Sequence, residues 1–171
     1  CHYPHLLPAA AKARVLKLDA HTQMRLEIEA VLARSAAHNV LLPPFLVIVV
    51  RREHIVRDAL AQLAGRAAAD LKKPLKVKFL GEDGIDAGGV AKEAFMLIMQ
   101  RMFDARYGMF VENDDTRAVW FSEAAGADTD DEFRLVGITM GLAIYNGIVL
   151  GAAFPSLVYR VLLHGVPPPR A

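Results

Sequence analysis

Three groups of residues in this chain have types and spacing that could do chemistry. Cys1 stands near His2 and His5, a thiol and two imidazoles that could share a zinc ion. A fourth ligand and the spacing of a zinc site are missing, so that reading is set aside. Glu82, Asp83 and Asp86 share a loop with Gly81, Gly84, Gly88 and Gly89, which raises phosphate or cation binding. A phosphate loop needs glycine, four residues, then Gly-Lys-Ser/Thr; here Gly89 is followed by Val90 and Lys92 by Glu93. The G-x-G-x-x-G dinucleotide fingerprint is also absent, and three carboxylates would repel a phosphate. Nor do they follow the alternating ligand ladder of an EF-hand. The plainer reading is structural: glycines permit positive φ and close packing, and Asp86 lies where a helix N-terminus favours negative charge. Arg51 and Arg52 could meet an anion or a partner. We read them as ion pairs with the acidic loop around Glu82 to Asp86, since guanidinium forks suit carboxylates.

These residues need elements to hold them. Leu75, Val77 and Phe79 alternate with Lys76 and Lys78, the period of a strand with one buried face. After the loop, Val90, Ala94, Leu97 and Ile98 repeat at helical spacing, with Phe95, Met99 and Met102 beside them. Upstream, residues 1–14 with Pro4 and Pro8 form a lead-in. Met24, Ile28, Val31 and Leu32 then mark an amphipathic helix ending near Asn39. Pro43 and Pro44 precede Phe45 to Val50, a continuous apolar run expected to be a buried strand. Val56, Ala59, Leu60 and Leu63 predict a helix that Gly65 can terminate.

Downstream, Val119, Trp120 and Phe121 predict a brief strand or a core plug. Thr129, Asp130 and Asp131 are cap candidates for a helix with Phe133, Val136, Met140 and Ile144 on its face. Residues 135–159 hold no charge, and Gly137 and Gly141 make G-x-x-x-G, so a membrane span is the rival reading. Asn146, Gly147, Gly151 and Pro155 argue instead for two short helices, the second over Ser156 to Leu163 and ended by Gly165.

With 171 residues the chain is about one domain, and 54% hydrophobic with 23% charged residues makes it globular rather than disordered. A net charge of +1 gives no bulk attraction to nucleic acid or anionic lipid. Lys72, Lys73, Lys76 and Lys78 read as a solvated strand edge and loop. The single cysteine allows no internal disulfide and favours an intracellular setting, cytoplasmic and extending to the nucleus. A first residue other than Met, with no signal pattern, is read as a piece of a longer protein.

The string GEDGIDAGGVAKEAF closely resembles the signature of the HECT family of ubiquitin ligases. VVRREHIVRDAL upstream, then YGMF, GLAIYNGIVL and FPSLVYRVLL downstream, agree with the same family in the same order. Five ordered matches between residues 45 and 163 are specific where one would be weak. VVRREHIVRDAL and GLAIYNGIVL look nearer the Angelman-syndrome ligase type than the WW-domain type.

The resemblance implies an α+β fold, a mainly helical lobe with a few short strands. Residues 1–44 would be an upstream segment with an amphipathic helix, and residues 45–171 the first part of the amino-terminal lobe. The conjugating-enzyme-binding subdomain and the carboxy-terminal lobe would lie outside it. Arg51, Arg52, Gly81, Glu82, Gly84, Asp86, Gly88, Gly89, Glu93, Gly108, Phe110, Gly141, Tyr145 and Asn146 match the family motif as structural residues. No cofactor or metal is implied. Ubiquitin and a ubiquitin-conjugating enzyme are the implied partners, met through the missing parts, with substrates unspecified and no nucleic acid or membrane.

Such ligases pass ubiquitin through a cysteine thioester to substrate lysines, and that cysteine would lie beyond residue 171. Cys1, in the lead-in, does not match its context. Near Tyr107 to Asp115 some relatives hold a second ubiquitin, but Glu112, Asn113 and Asp114 with no exposed tyrosine do not carry that surface over. Some apolar surface covered by the rest of the lobe should stand exposed. The alternative is a non-catalytic interaction module from a truncated protein of this family, distinguished by whether the reading frame continues into a cysteine-bearing lobe.

Overall fold

Alternation along two short apolar segments starts the core. In the computed structural model, which describes residues 6–82, 88–126, 129–151 and 153–165, β1 (Leu46–Val50) lies parallel to β2 (Leu75–Phe79). Their register pairs Leu46 with Leu75 and Val50 with Phe79. Parallel pairing needs a crossover, and the chain supplies one through α2 (Ile55–Leu63) and the single-turn α3 (Ala68–Leu71). The architecture is α+β, with helices carrying most of the mass.

The expectation of a fully buried β1 is corrected by its period. Leu46, Ile48 and Val50 face inward, whereas Val47 and Val49 remain 46% and 38% exposed, because helices cover one face only. The outer edge of β1 is closed at Val49 by a side chain. Gln62 accepts from the Val49 N–H at 3.0 Å and donates to its carbonyl at 2.6 Å, standing where a neighbouring strand would.

Over the inner face lie α2, burying Ile55, Ala59 and Leu63, and α4 (Gly89–Met102), burying Ala91, Ala94, Phe95, Ile98, Met99 and Met102. Gly88 caps α4 at φ 90°, a conformation that a Cβ would strain although nothing crowds it. The hairpin of β3 (Phe110–Glu112) and β4 (Val119–Phe121) follows, so Val119 to Phe121 is a strand and not a plug. Buried Phe110 packs against Phe103, Phe121, Phe133 and Phe154 with ring centres 4.8 to 5.7 Å apart.

The next helix, α5 (Asp130–Tyr145), packs on α2 and α4 with a face rotated from the expected stripe. Leu135, Val136, Thr139, Leu142 and Ala143 are buried, while Ile144 is 61% exposed. A helix apolar on nearly every side gives no period from which to choose a face. Thr129 occupies the cap position, but its hydroxyl donates back to the Gly126 carbonyl rather than capping. The uncharged stretch is broken after Tyr145 and resumes as α6 (Ser156–His164), capped by Gly165 at φ 67°. Among the described residues no helix is long and apolar enough to cross a membrane.

The first helix, α1 (Ala9–His38), begins inside the expected lead-in, directly after Pro8, and ends at Asn39 as expected. Its amphipathic stripe is thin: Val31 and Ala20 are buried, Met24 and Ile28 are half-buried, and Leu32 lies outside. Lys73 corrects the solvated-lysine reading, being buried and paired with Asp70 at 2.7 Å.

Thr139 is fully buried, and its hydroxyl has no hydrogen-bond partner among the described residues. Replacing that hydroxyl with a methyl removes a desolvated polar group at constant shape. Thr139→Val should therefore stabilise the chain by about 1 kcal/mol, raising the thermal midpoint by about 2–4 °C. A lowered midpoint in calorimetry would show that the hydroxyl is satisfied.

Candidate functional site

Where β1 ends, Arg51 and Arg52 turn the chain into α2, and each finds a different carboxylate. Arg51 donates from Nε and Nη2 to Asp58 at 2.9 and 2.6 Å, and its own N–H adds a third bond at 2.9 Å. Asp58 lies in the first turn of α2 with its side chain 13% exposed. These bonds hold the Asp58 carboxyl well below the usual carboxylate range and raise the Arg51 guanidinium.

Arg52 reaches further. It grips Glu82 with Nε and Nη2, the latter at 2.9 Å, and Glu93 on α4 with Nη1 at 2.6 Å. Its guanidinium carbon lies 4.0 Å from the centre of the Phe79 ring. Glu82 is lowered and Arg52 raised by the hydrogen bonds between them. One residue thus ties the end of β2 to the first turns of α4, across the elbow that Gly81 (φ 85°) and Gly88 open and close.

The expected pairing of both arginines with the loop is half corrected: Arg52 meets Glu82, but Arg51 meets Asp58. Geometry explains it, because the Arg51 N–H and fork address one carboxylate only seven residues on. Asp58 and Gln62 were missed by sequence reasoning. An acid and an amide four apart on a predicted helix after an Arg-Arg strand end were the available signal. Gly84 and Asp86 lie outside the described residues, as do Cys1, His2 and His5.

The remaining motif residues are dispersed rather than gathered: Phe110 is buried, Tyr145 and Asn146 are half-buried, and Gly108 and Gly141 are exposed. Tyr145 donates to the Lys72 carbonyl at 3.1 Å, and burial raises its hydroxyl pKa. Asn146 donates to the Leu142 carbonyl at 2.8 Å, closing the end of α5. Gly108 turns the chain at φ 73° ahead of buried Phe110. Gly141 and Tyr145 line a groove of about 430 Å³ between α1, α3 and α5, with Leu16, Ala20, Leu71 and Ile138. Tyr107 is 43% exposed, against the expectation that its neighbourhood offers no exposed tyrosine; the one-turn helix Ala105–Tyr107 leaves it on the surface.

Both elbow guanidinium groups are neutralised by carboxylates, and no thiol lies among the described residues. Among them, too, no three His, Cys, Asp or Glu side chains gather as metal ligands would. The arrangement builds a braced elbow: among the described residues, Arg51 and Arg52 with Asp58, Glu82 and Glu93 are spent on holding elements together.

A family model described as HECT-domain (ubiquitin-transferase) matches residues 96–168. The probable E3 ubiquitin-protein ligase HERC4 of Homo sapiens is 44% identical over 173 residues, covering 98% of this chain and 16% of that protein. The human probable E3 ubiquitin-protein ligase HECTD2 is 43% identical over 168 residues, covering 95% and 21%. A Schizosaccharomyces pombe relative, the probable E3 ubiquitin-protein ligase mug30, is 37% identical over 164 residues, covering 95% and 20%. The chain belongs to the HECT family, and it spans only about a sixth to a fifth of these relatives' length.

The Arg51–Asp58 contact has a defined acid signature. A carboxyl whose folded pKa is depressed stabilises the fold above its unfolded value, about 3.9, and that stability is lost as pH falls through the folded value. Asp58→Asn should lower the thermal midpoint by about 5 °C at pH 7. The gap to the parent chain should close as the pH is taken well below 4, about where free carboxyls titrate. An equal gap across the whole range would show that packing, not charge, holds Asp58.

Proposed function

We propose that this chain is the opening part of the amino-terminal lobe of a HECT-type E3 ubiquitin-protein ligase. The observation that carries the reading is alignment along 95% or more of the chain with relatives that are each named as such ligases. On this reading residues 1–44 lead into the lobe and residues 45–171 are its first part. The motif residues from Arg51 to Asn146 serve as structural braces.

The whole protein would take ubiquitin from a conjugating enzyme onto a cysteine of a second lobe as a thioester. A substrate lysine nitrogen would then attack the thioester carbonyl, forming an amide and releasing the thiolate. Exchange of one thioester for another is nearly balanced in energy, and thiolate nucleophilicity drives it. The lobes swing about a hinge to bring the reacting sulfurs together, and this chain supplies the rigid side of that motion. The partners are ubiquitin and a conjugating enzyme, no cofactor takes part, and the setting is intracellular. Leu162 and Leu163 on α6, 71% and 79% exposed, and Val149 at 83% would be covered by the rest of the lobe.

The chain should not itself accept ubiquitin. Incubated with a ubiquitin-charged conjugating enzyme, it should give no thiol-reducible adduct on a non-reducing gel. The same assay on a continuation that includes the second lobe should give one. An adduct on this chain that disappears in Cys1→Ser would overturn the assignment.

A further inference from the structure

Parallel sheets occur almost only where both faces are covered. The β1–β2 pair breaks that rule on one side. α2 and α4 pack on its inner face, but on the outer face Val47 and Val49 stand half-exposed and Leu80 is 63% exposed. The register sets Val47 beside Lys76 and Val49 beside Lys78. The bare face is therefore apolar along β1 and cationic along β2.

Neither lysine has a carboxylate partner among the described residues, whereas Lys73 nearby is paired with Asp70. The Lys76 ammonium lies 3.8 Å from the centre of the Phe45 ring, which orients it without cancelling its charge. Gln62 closes the β1 edge at Val49, so strand addition there is blocked and an occupant must approach face-on. Two lysines on a chain of net charge +1 are too few to hold a phosphate backbone or a lipid surface, and either ligand would leave the valines uncovered.

We propose that this face docks a partner protein through an acidic amphipathic helix. Its apolar stripe covers Val47, Val49 and Leu80, and the carboxylates bordering that stripe meet Lys76 and Lys78. The surface is separate from the Arg52 elbow, whose guanidinium is already engaged, and from the apolar end of α6.

The probe is a fluorescent peptide of about 16 residues with leucines at helical i, i+3, i+4 and i+7 spacing, bordered by glutamates. Titrated with the 171-residue chain, its anisotropy should rise, and the affinity should fall with added salt. The double variant Lys76→Glu with Lys78→Glu should weaken binding about tenfold and acquire affinity for the matching lysine-bordered peptide. Val47→Ser with Val49→Ser should weaken binding while leaving the preference for the acidic peptide unchanged. All four side chains face solvent, and far-ultraviolet circular dichroism checks that each variant is folded. An acidic peptide that fails to bind, or binds the charge-reversed chain equally well, overturns the proposal. So does lysine-dependent self-association in sedimentation, which would make a second copy the occupant.

Discussion

A two-stranded ribbon cannot hold itself together in water, so this chain depends on burying the inner face of β1 and β2 beneath α2 and α4. Leu46, Ile48, Val50, Val77 and Phe79 are all at most 3% exposed. Each such side chain contributes about 1.5–3 kcal/mol relative to an exposed one. The half-exposed ion pairs of Arg52 are screened by solvent and contribute far less. Apolar burial therefore decides that the elements pack, and the arginines decide the angle at which they meet.

The Arg51–Arg52 dipeptide divides that second task by burial. Asp58 is 13% exposed, whereas Glu82 and Glu93 are 46% and 49% exposed. Solvent screens the Arg52 contacts more strongly, so the Arg51–Asp58 pair, bonded by both side chain and backbone, carries the larger share. What Arg52 adds is reach: one planar group joins the end of β2, the start of α4 and the Phe79 ring. A lysine could not hold three such partners in fixed geometry.

Elements with one polar side were legible in the residues. β2 alternates lysine with apolar groups, and its observed span starts at the predicted residue; α4 and α6 likewise fall where their periods place them. What failed were segments whose polarity does not vary around the axis. β1 is apolar on both faces, so its residues could not say that one face would stay bare. α5 is uncharged past Arg134, and its buried face is chosen by α2 and α4, which lie far upstream in the chain. α1 reads ambiguously because alanines and charges mix on every side, and it starts inside the lead-in of residues 1–14, directly after Pro8. At the site, the Glu82 pairing could be anticipated from charge, but Asp58 could not be preferred over the loop without knowing how β1 meets α2.

Contacts that hold the elements are distributed unevenly along the chain. β2 is pinned near both ends: Tyr145 bonds the Lys72 carbonyl just ahead of it, and Arg52 grips Glu82 just after it. A displacement of β2 along its axis would break contacts to α4 and α5 together, which ties the three elements to one another. The two terminal helices are held far less. Of α1's length only Ala20 and Val31 are buried, and α6 buries only Val158. Local opening follows buried apolar contact, so it concentrates at these two helices and leaves the sheet and its elbow undisturbed. A chain held this way can meet neighbours through its terminal helices while the sheet and its elbow keep their shape.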